Sequence, residues 1–580
     1  MATVNSVDNI AAMLAISSPT ANDTVEVLGY YAPNDGGGGT FYWDSAATGT
    51  AYANNGGTIF DPSGGVSVGR WLRVYDSNIN VRWFGAIGDG TTDDKAKIQK
   101  AIDFATEHIP APTPLPGVNR NLNLYFPKGI YYISDPVSGD PGYSIGASLL
   151  VDLTTTTAGP RRIIIYGDGP DESAMYYDGT TINTTVLNIS GSYAEVFVKD
   201  FSIRSVDRVP MYGTAIKMDY LFGVSMSNLT LFRFNTGLEV SNTNTATFDR
   251  LKIAWNGVGF RGLSAGGSLP NLFQFNSCII NSNWEKAVEL FTFHNVFFNS
   301  CNFEGTGMNS GIANPLAEGG IIATYGATVG GASGLNVLNC YFEANAGEAD
   351  IKIINVAAFG THTITGNTFN RVSLYDENNN QAFTTNNILI TGDGQSPPSI
   401  LGGSKTKVVI QGNGFLAYNP LGTGYVPSSS RKAIELLDSS GLNDYWQFDL
   451  VEEGNQYTYL QPLPNPEIYD EDSSPAFDSK TPQISEFTRV KAFGTVAYIN
   501  PSWTVVNGYN IASCTNLSLG LFRVELANDL GRDVIVNITP HNTNGVVIAN
   551  ITAQSTSFFV VSFNTLSGAF DDTFFNFTVF

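Results

Sequence analysis

Glu304 and Glu343 are the residues whose type and spacing most directly offer chemistry. Each closes a six-residue unit, Asn299-Ser300-Cys301-Asn302-Phe303-Glu304 and Leu338-Asn339-Cys340-Tyr341-Phe342-Glu343. Stacked as neighbouring strands, these units would set the two acids about 4.8 Å apart, the inter-strand spacing, on one outward face. Carboxyl groups that close disfavour each other's ionisation, which is how one becomes a proton donor and its neighbour a base or nucleophile. Such a pair is the equipment of glycoside hydrolysis. Asn281 and Asn370 hold the same sixth position in flanking units and are placed to hydrogen-bond sugar hydroxyls. Trp284 and Tyr341 offer the apolar C–H face of a pyranose an aromatic surface with a polar handle, and Trp255, Tyr325 and Phe359 offer further rings. Glu285, Asp350 and Arg371 complete the set of binding candidates, with Glu289 and Glu348 as further nearby acids.

Elimination would instead need a base for the proton alpha to a uronate carboxyl and a cation to neutralise that carboxylate. Lys286, His294, Lys352, His362 and Arg371 are the partners on offer. This chemistry ranks second, because a lone histidine in a strand is ordinarily structural. Asp89, Asp93 and Asp94 resemble a metal-binding triplet but sit at a turn and a helix start, where capping accounts for them. The run Gly36 to Gly39 lacks a following Lys and Ser/Thr and reads as a turn, not a phosphate loop. The 4 Cys and 4 His show no CxxC or HxxxH spacing, so neither a disulfide scaffold nor a zinc site is indicated; no metal-binding residue or cofactor is assigned, while a metal held through oxygen ligands stays open.

The elements that must position these residues form a repeat. Ser227 to Phe232, Asp249 to Ala254, Asn276 to Asn281 and Thr365 to Asn370 align with the two glutamate units. Their third positions lie 22, 27, 23, 39 and 27 residues apart, the period of a solenoid with one long insertion, Gly305 to Gly334. That insertion is expected to wall a groove beside the acids. Third and fifth positions are mostly apolar and face inward, so Cys278, Cys301 and Cys340 stack as small hydrophobes, while the sixth points out. A right-handed single-stranded parallel β-helix, all-β in class, satisfies this pattern. Ile98, Ala101, Ile102 and Ala105 follow helical spacing, and this helix, at about 92–108 with caps near Thr92 and Asp93, is expected to close the open end of the first coil.

Composition agrees. Among 580 residues, 43% are hydrophobic and 14% charged, enough for an ordered interior, and 60 Gly with many Asn, Thr and Ser supply the tight turns of a β protein. A net charge of −22 opposes nucleic acid and offers no basic face to a membrane. Met1 to Ala15 lacks a charged n-region ahead of an apolar block, and no apolar run of about 18 residues exists, so neither secretion nor spanning is supported. Four regions are expected: an N-terminal β domain over 1–80, a β-helix over 81–430, a linker and insertion region over 431–490 containing the acidic, Pro-rich stretch Gln461 to Pro482, and a C-terminal β-sandwich over 491–580 for trimerisation or carbohydrate binding.

Trp83-Phe84-Gly85-Ala86-Ile87-Gly88-Asp89-Gly90 with Asp93-Asp94, then Ala96-Lys97-Ile98-Gln99-Lys100-Ala101-Ile102 and Tyr125-Phe126-Pro127-Lys128-Gly129-Ile130-Tyr131, resembles the signature of the pectate-lyase-like β-helix family. Gly29 to Phe41, with Arg70-Trp71, looks like the neck that precedes this motif in bacteriophage tailspikes. The resemblance implies a tailspike polysaccharide depolymerase, of the kind that attacks capsules of Acinetobacter or related bacteria. It implies a homotrimer on the virion tail, assembled in the host cytoplasm and joined to a baseplate or tail adaptor, which binds capsular polysaccharide or exopolysaccharide. Because Met1 stands almost at the neck, it also implies either a removed particle-binding domain or attachment through a short adaptor. Hydrolysis is the first expectation, with a lyase or a non-catalytic glycan-binding adhesin as alternatives.

Overall fold

The computed structural model describes residues 5–107, 122–459 and 492–579, apart from 22, 63–68, 155–161, 207–210, 264–270, 310–311, 314–316, 325–333, 355–360, 373–383, 392–405, 419–431, 438–447, 500–501, 510, 519–520, 527–535, 542–546, 555–557 and 566–573. The chain forms two units, Met1–Pro482 and Gln483–Phe580.

Within the first unit, short strands pair in parallel with the equivalent strands of the next coil and build three sheets of a parallel β-helix. Sheet 1 runs through Thr236–Ser241, Val258–Leu263, Lys286–Phe291, Gly319–Thr324, Gly347–Ile354, Thr384–Thr391 and Lys432–Leu437. Sheet 2 runs through Thr245–Asp249, Leu272–Asn276, Asn295–Asn299, Leu335–Leu338, Thr361–Thr365, Thr406–Gln411 and Phe448–Glu453. Sheet 3 runs through Lys252–Ala254, Ile279–Asn281, Asn302–Glu304, Tyr341–Glu343, Thr368–Val372, Gly414–Tyr418 and Gln456–Tyr459.

Two expectations change here. Coils continue to Tyr459, past the boundary at 430, because Lys432–Leu437 pairs in register with Thr384–Thr391, and buried Ile434 stands beside buried Ile388 to prolong the inward apolar ladder. The stretch Gly305 to Gly334 is not one loop: Gly319–Thr324 is a rung of sheet 1, buried except at Thr324, since no coil can omit a side. The acidic segment Gln461 to Pro482 lies outside the described residues.

Stacking like on like fills the interior. Phe303, Phe342, Phe369 and Phe415 stack with ring centroids 4.8, 4.8 and 5.0 Å apart, the offset spacing aromatic pairs prefer. The cysteine column, buried as expected, gives way to asparagines: Asn367 accepts the Cys340 N–H at 2.8 Å and donates to Asn413, which donates in turn to Asn455. Each buried amide is thus satisfied by the next coil. His362, fully buried in sheet 2, accepts the Leu335 N–H at Nδ1.

Helix Lys95–Glu107 buries Ile98, Ala101, Ile102 and Ala105 and seals the first coil by hydrogen bonding as well as packing. The Gln99 amide donates to Leu150 O and accepts from Leu150 N, both at 2.9 Å, occupying the edge of the first sheet 1 strand, Ala147–Asp152. Asp93 accepts the Lys95 N–H and Asp89 accepts the Thr91 and Thr92 N–H groups, as capping requires. Asp94 does something else: fully buried, it closes the Ile87–Gly88 turn by accepting both N–H groups. Ahead of the helix, a five-stranded sheet over 5–73 packs Phe41, Trp43, Phe60 and Trp71 against the short helix Ile10–Leu14. Buried Arg73 donates to the carbonyls of Gly37, Gly38 and Gly57 there, pinning the glycine-rich turn.

The second unit contains two four-stranded antiparallel sheets, as a β-sandwich requires. One runs Ser502–Tyr509, Ala492–Ile499, Phe574–Val579, Val536–His541, and the other Ile511–Ser518, Leu521–Leu526, Phe558–Thr565, Val547–Gln554.

Burial holds the His362 imidazole at about 4, below its ordinary value, so the folded chain keeps it neutral. Between about 6.5 and about 4 the unfolded chain binds a proton that the folded chain does not. This contribution is therefore complete above about pH 6.5 and is lost as pH falls, to the extent of about 3 kcal/mol. Denaturation midpoints measured across that window should fall more steeply for the native sequence than for His362→Gln; parallel curves would refute the assignment.

Candidate functional site

The register of sheet 3 decides which side chains meet. Asn281 pairs with Glu304, Glu304 with Glu343, and Glu343 with Asn370. The four expected residues therefore form one outward column, with the buried residues Ile280, Phe303, Phe342 and Phe369 facing inward one position earlier.

Each short strand ends at a left-handed corner. Ser282 and Ala344 have φ of 53° and 52°, and Gly305 has 63°. Their N–H groups donate to the next coil: Ser282 to Glu304 O at 2.7 Å, Gly305 to Glu343 O at 2.9 Å and Ala344 to Asn370 O at 3.3 Å. The peptide bearing each acid is thereby tied to the preceding coil, which fixes where the carboxylates start from. Glycine takes this conformation freely; serine and alanine do so at a cost of about 1–2 kcal/mol, carried by those bonds.

Charge sets this column apart. On sheet 1 the register Lys217, Glu239, Arg261, Glu289 alternates in sign. Lys217 and Glu239 meet at 2.7 Å and Arg261 and Glu289 at 2.6 Å, while Lys286 bridges Glu289 at 2.5 Å and Glu318 at 3.0 Å. Burial alone would raise Glu289, but its bonds to Lys286 and Arg261 hold it below the ordinary carboxylate value. Glu304 and Glu343 are instead like charges in register, and no ion pair joins either to a cation among the described residues.

Glu304 is exposed and makes no side-chain hydrogen bond among the described residues. Glu343 is half-buried and accepts the Tyr341 hydroxyl at 2.8 Å, while Asn370 Nδ2 donates to that hydroxyl at 3.0 Å. Burial first, then the Glu343 hydrogen bond and the charges of Glu343 and Glu304, outweigh the opposing Asn370 bond and hold the Tyr341 phenol above its ordinary value, so it stays a donor. Tyr341, expected to meet substrate, is thus committed to Glu343.

The remaining candidates divide. Trp284 and Glu285 lie on the turn leaving Ile279–Asn281, beside the column. Asp350 is buried, accepting the Asn345 amide at 3.0 Å and the Asn387 amide at 2.6 Å, so it is an interior group and not a substrate contact; the two consecutive buried residues before and after it in Gly347–Ile354 break strict alternation. Arg371 lies in Thr368–Val372 with its side chain outside the described residues, as are Tyr325 and Phe359. Glu348 pairs with Lys352.

Extending the register backwards past Phe232, where the six aligned units begin, finds residues that those units do not reach. The column continues from Asn281 through Ala254, Phe232, Arg204, Tyr176 and Tyr132. Next to it, Ile279, Asn302 and Tyr341 share a second outward column, and Trp255, at a left-handed corner, is 46% exposed. The carbonyl oxygens of the Asn281 and Asn302 side chains are shielded and without a hydrogen-bond partner among the described residues. Only counting outward positions back from Asn281 across the irregular earlier coils would have located the tyrosines.

Residues 6–76 match the phage tail protein small four-stranded beta-sheet domain, and residues 78–313 match rhamnogalacturonase A/epimerase, pectate lyase-like. The two matches fall on adjacent segments, the first on the five-stranded N-terminal sheet and the second on the earlier coils of the β-helix. Similar solved structures include tailspike protein gp49 from Acinetobacter baumannii bacteriophage Fri1, a capsular polysaccharide depolymerase (12% identity, 100% of this chain and 98% of that one, TM-score 0.49). Another is full-length tailspike protein 2 from an Escherichia coli O157:H7 bacteriophage (14%, 100% and 71%, 0.49). A third is Pantoea stewartii WceF, a glycan biofilm modifying enzyme (9%, 99% and 70%, 0.42).

Replacing Asp350 by alanine strands the Asn345 and Asn387 amides and should cost about 2–4 kcal/mol of stability. Thermal melts and glycan-binding titrations separate the roles: a lower melting point with unchanged binding is expected, and weakened binding at unchanged stability would restore Asp350 to the binding surface.

Proposed function

We propose that this chain, a phage-tail β-sheet domain carried on a pectate-lyase-like β-helix, is a tailspike depolymerase that binds a bacterial capsular polysaccharide or exopolysaccharide and hydrolyses it. The observation that carries this reading is the in-register pair Glu304 and Glu343, two acids one rung apart on an outward face with no ion-pair partner among the described residues. Hydrolysis needs one carboxyl to protonate the leaving oxygen and another to activate water or attack the anomeric carbon. The column of Asn281, Asn370 and, farther along, Phe232, Arg204 and Tyr176 gives a chain of sugars polar and aromatic contacts along the coil axis.

Elimination finds less support. Of its expected partners, Lys286 and Lys352 are paired with carboxylates, and His362 is buried and neutral. An adhesin would use the same polar and aromatic surface but has no need of two like charges held together. Association as a homotrimer on the virion tail, attached to a baseplate or tail adaptor, belongs to the same proposal.

The test is reducing-end release from a panel of purified capsular polysaccharides. Glu304→Gln and Glu343→Gln should each reduce it at least about a hundredfold with assembly unchanged. Wild-type-like release by both variants overturns the assignment of the pair. Absorbance of an unsaturated uronate would signal a lyase, and binding without any product an adhesin. Sedimentation of a stable monomer would remove the trimer.

A further inference from the structure

We infer that Tyr341 is a positioning residue for Glu343, and that its hydrogen bond divides the pair into an oriented carboxylate, Glu343, acting as base or nucleophile, and an unrestrained one, Glu304, delivering the proton. This rests on the hydrolase reading above.

The two acids are equivalent in sequence and register but not in surroundings. Tyr341 and Glu343 are two residues apart on one strand and project from the same face, which brings the phenol to one carboxylate oxygen at 2.8 Å. Asn370, one coil on, donates to the phenol oxygen at 3.0 Å. With that contact made, the single hydroxyl proton is directed to Glu343. A donated hydrogen bond fixes one oxygen of the Glu343 carboxyl group and leaves the other for the reaction. The groups facing Glu343 are Glu304 on the preceding strand, Tyr341 on its own and Asn370 on the following one. Glu304 is held by none of these: it is exposed and without a side-chain partner among the described residues, which suits a group that moves with the leaving oxygen.

The step balances with water as co-reactant. The bond from the anomeric carbon to the bridging oxygen breaks, and that oxygen takes the Glu304 proton. The carbon gains an oxygen from water whose proton passes to Glu343, or is first bonded to Glu343 and then released by water that Glu304 deprotonates.

A mutant cycle on the full chain tests this, using a capsular polysaccharide that the wild type depolymerises. Tyr341→Phe keeps the ring and removes the donor; kcat should fall about ten- to a hundredfold with KM within about twofold and melting nearly unchanged. The loss should persist in the Glu304→Gln background and vanish in Glu343→Gln. Asn370→Leu, which frees the phenol to turn away, should reproduce a smaller loss of kcat. Equal effects of Tyr341→Phe in both backgrounds, or none in the wild type, overturn the inference while leaving the catalytic pair intact. Release at the wild-type rate by both glutamine variants would instead remove the underlying reading. A crystal structure of Tyr341→Phe needs no substrate: several Glu343 conformers are expected, and a single unchanged conformer refutes the tether.

Discussion

Parallel hydrogen bonding between successive coils is the constraint from which the rest of this structure follows. It fixes the rise at about 4.8 Å per coil and forces each residue to stand beside its counterpart one coil away. Any property repeated at one position becomes a column. Apolar rings become the stack from Phe303 to Phe415, and buried amides become the chain from Asn367 to Asn455. Charge is the property that a column tolerates least, and sheet 1 resolves it by alternating sign through Lys217, Glu239, Arg261 and Glu289.

Against that background Glu304 and Glu343 are an exception with a location. They repeat one charge where the neighbouring sheet alternates, and the fold stabilises their backbones through the corner N–H groups of Gly305 and Ser282. Natural sequences break local rules mainly where function asks it of them. The asymmetry introduced by Tyr341 and Asn370 then converts two equivalent acids into two different ones.

Much of this was legible in the residues. The six aligned units yield the correct register because inward residues at the third and fifth positions leave the sixth only one face, and a slip by one would bury the acids and expose Phe303 and Phe342. The helix over Lys95–Glu107 was legible for the same reason, from Ile98, Ala101, Ile102 and Ala105. Three features were not. The rung Gly319–Thr324 is Gly- and Ala-containing and lacks the hexad, so it read as loop. The coils beyond 430 share their region with the acidic, Pro-rich stretch Gln461 to Pro482, which assigned the whole of 431–490 to linker and insertion. Asp350 belongs to a strand whose consecutive residues are buried, so alternation assigned it to the wrong surroundings.

Residue order alone determined that this chain makes stacked coils, which positions face out, and that two glutamates share one outward column, because periodic burial is a local property written at every turn. Tertiary structure decided which of those outward groups are free. Lys286, Lys352 and Glu289 are neutralised by partners from their own and neighbouring coils, Tyr341 is spent on Glu343, and Glu304 is left unpaired among the described residues. Pairing of side chains depends on distances across coils separated by two dozen or more residues, and those distances exist only once the coils have closed.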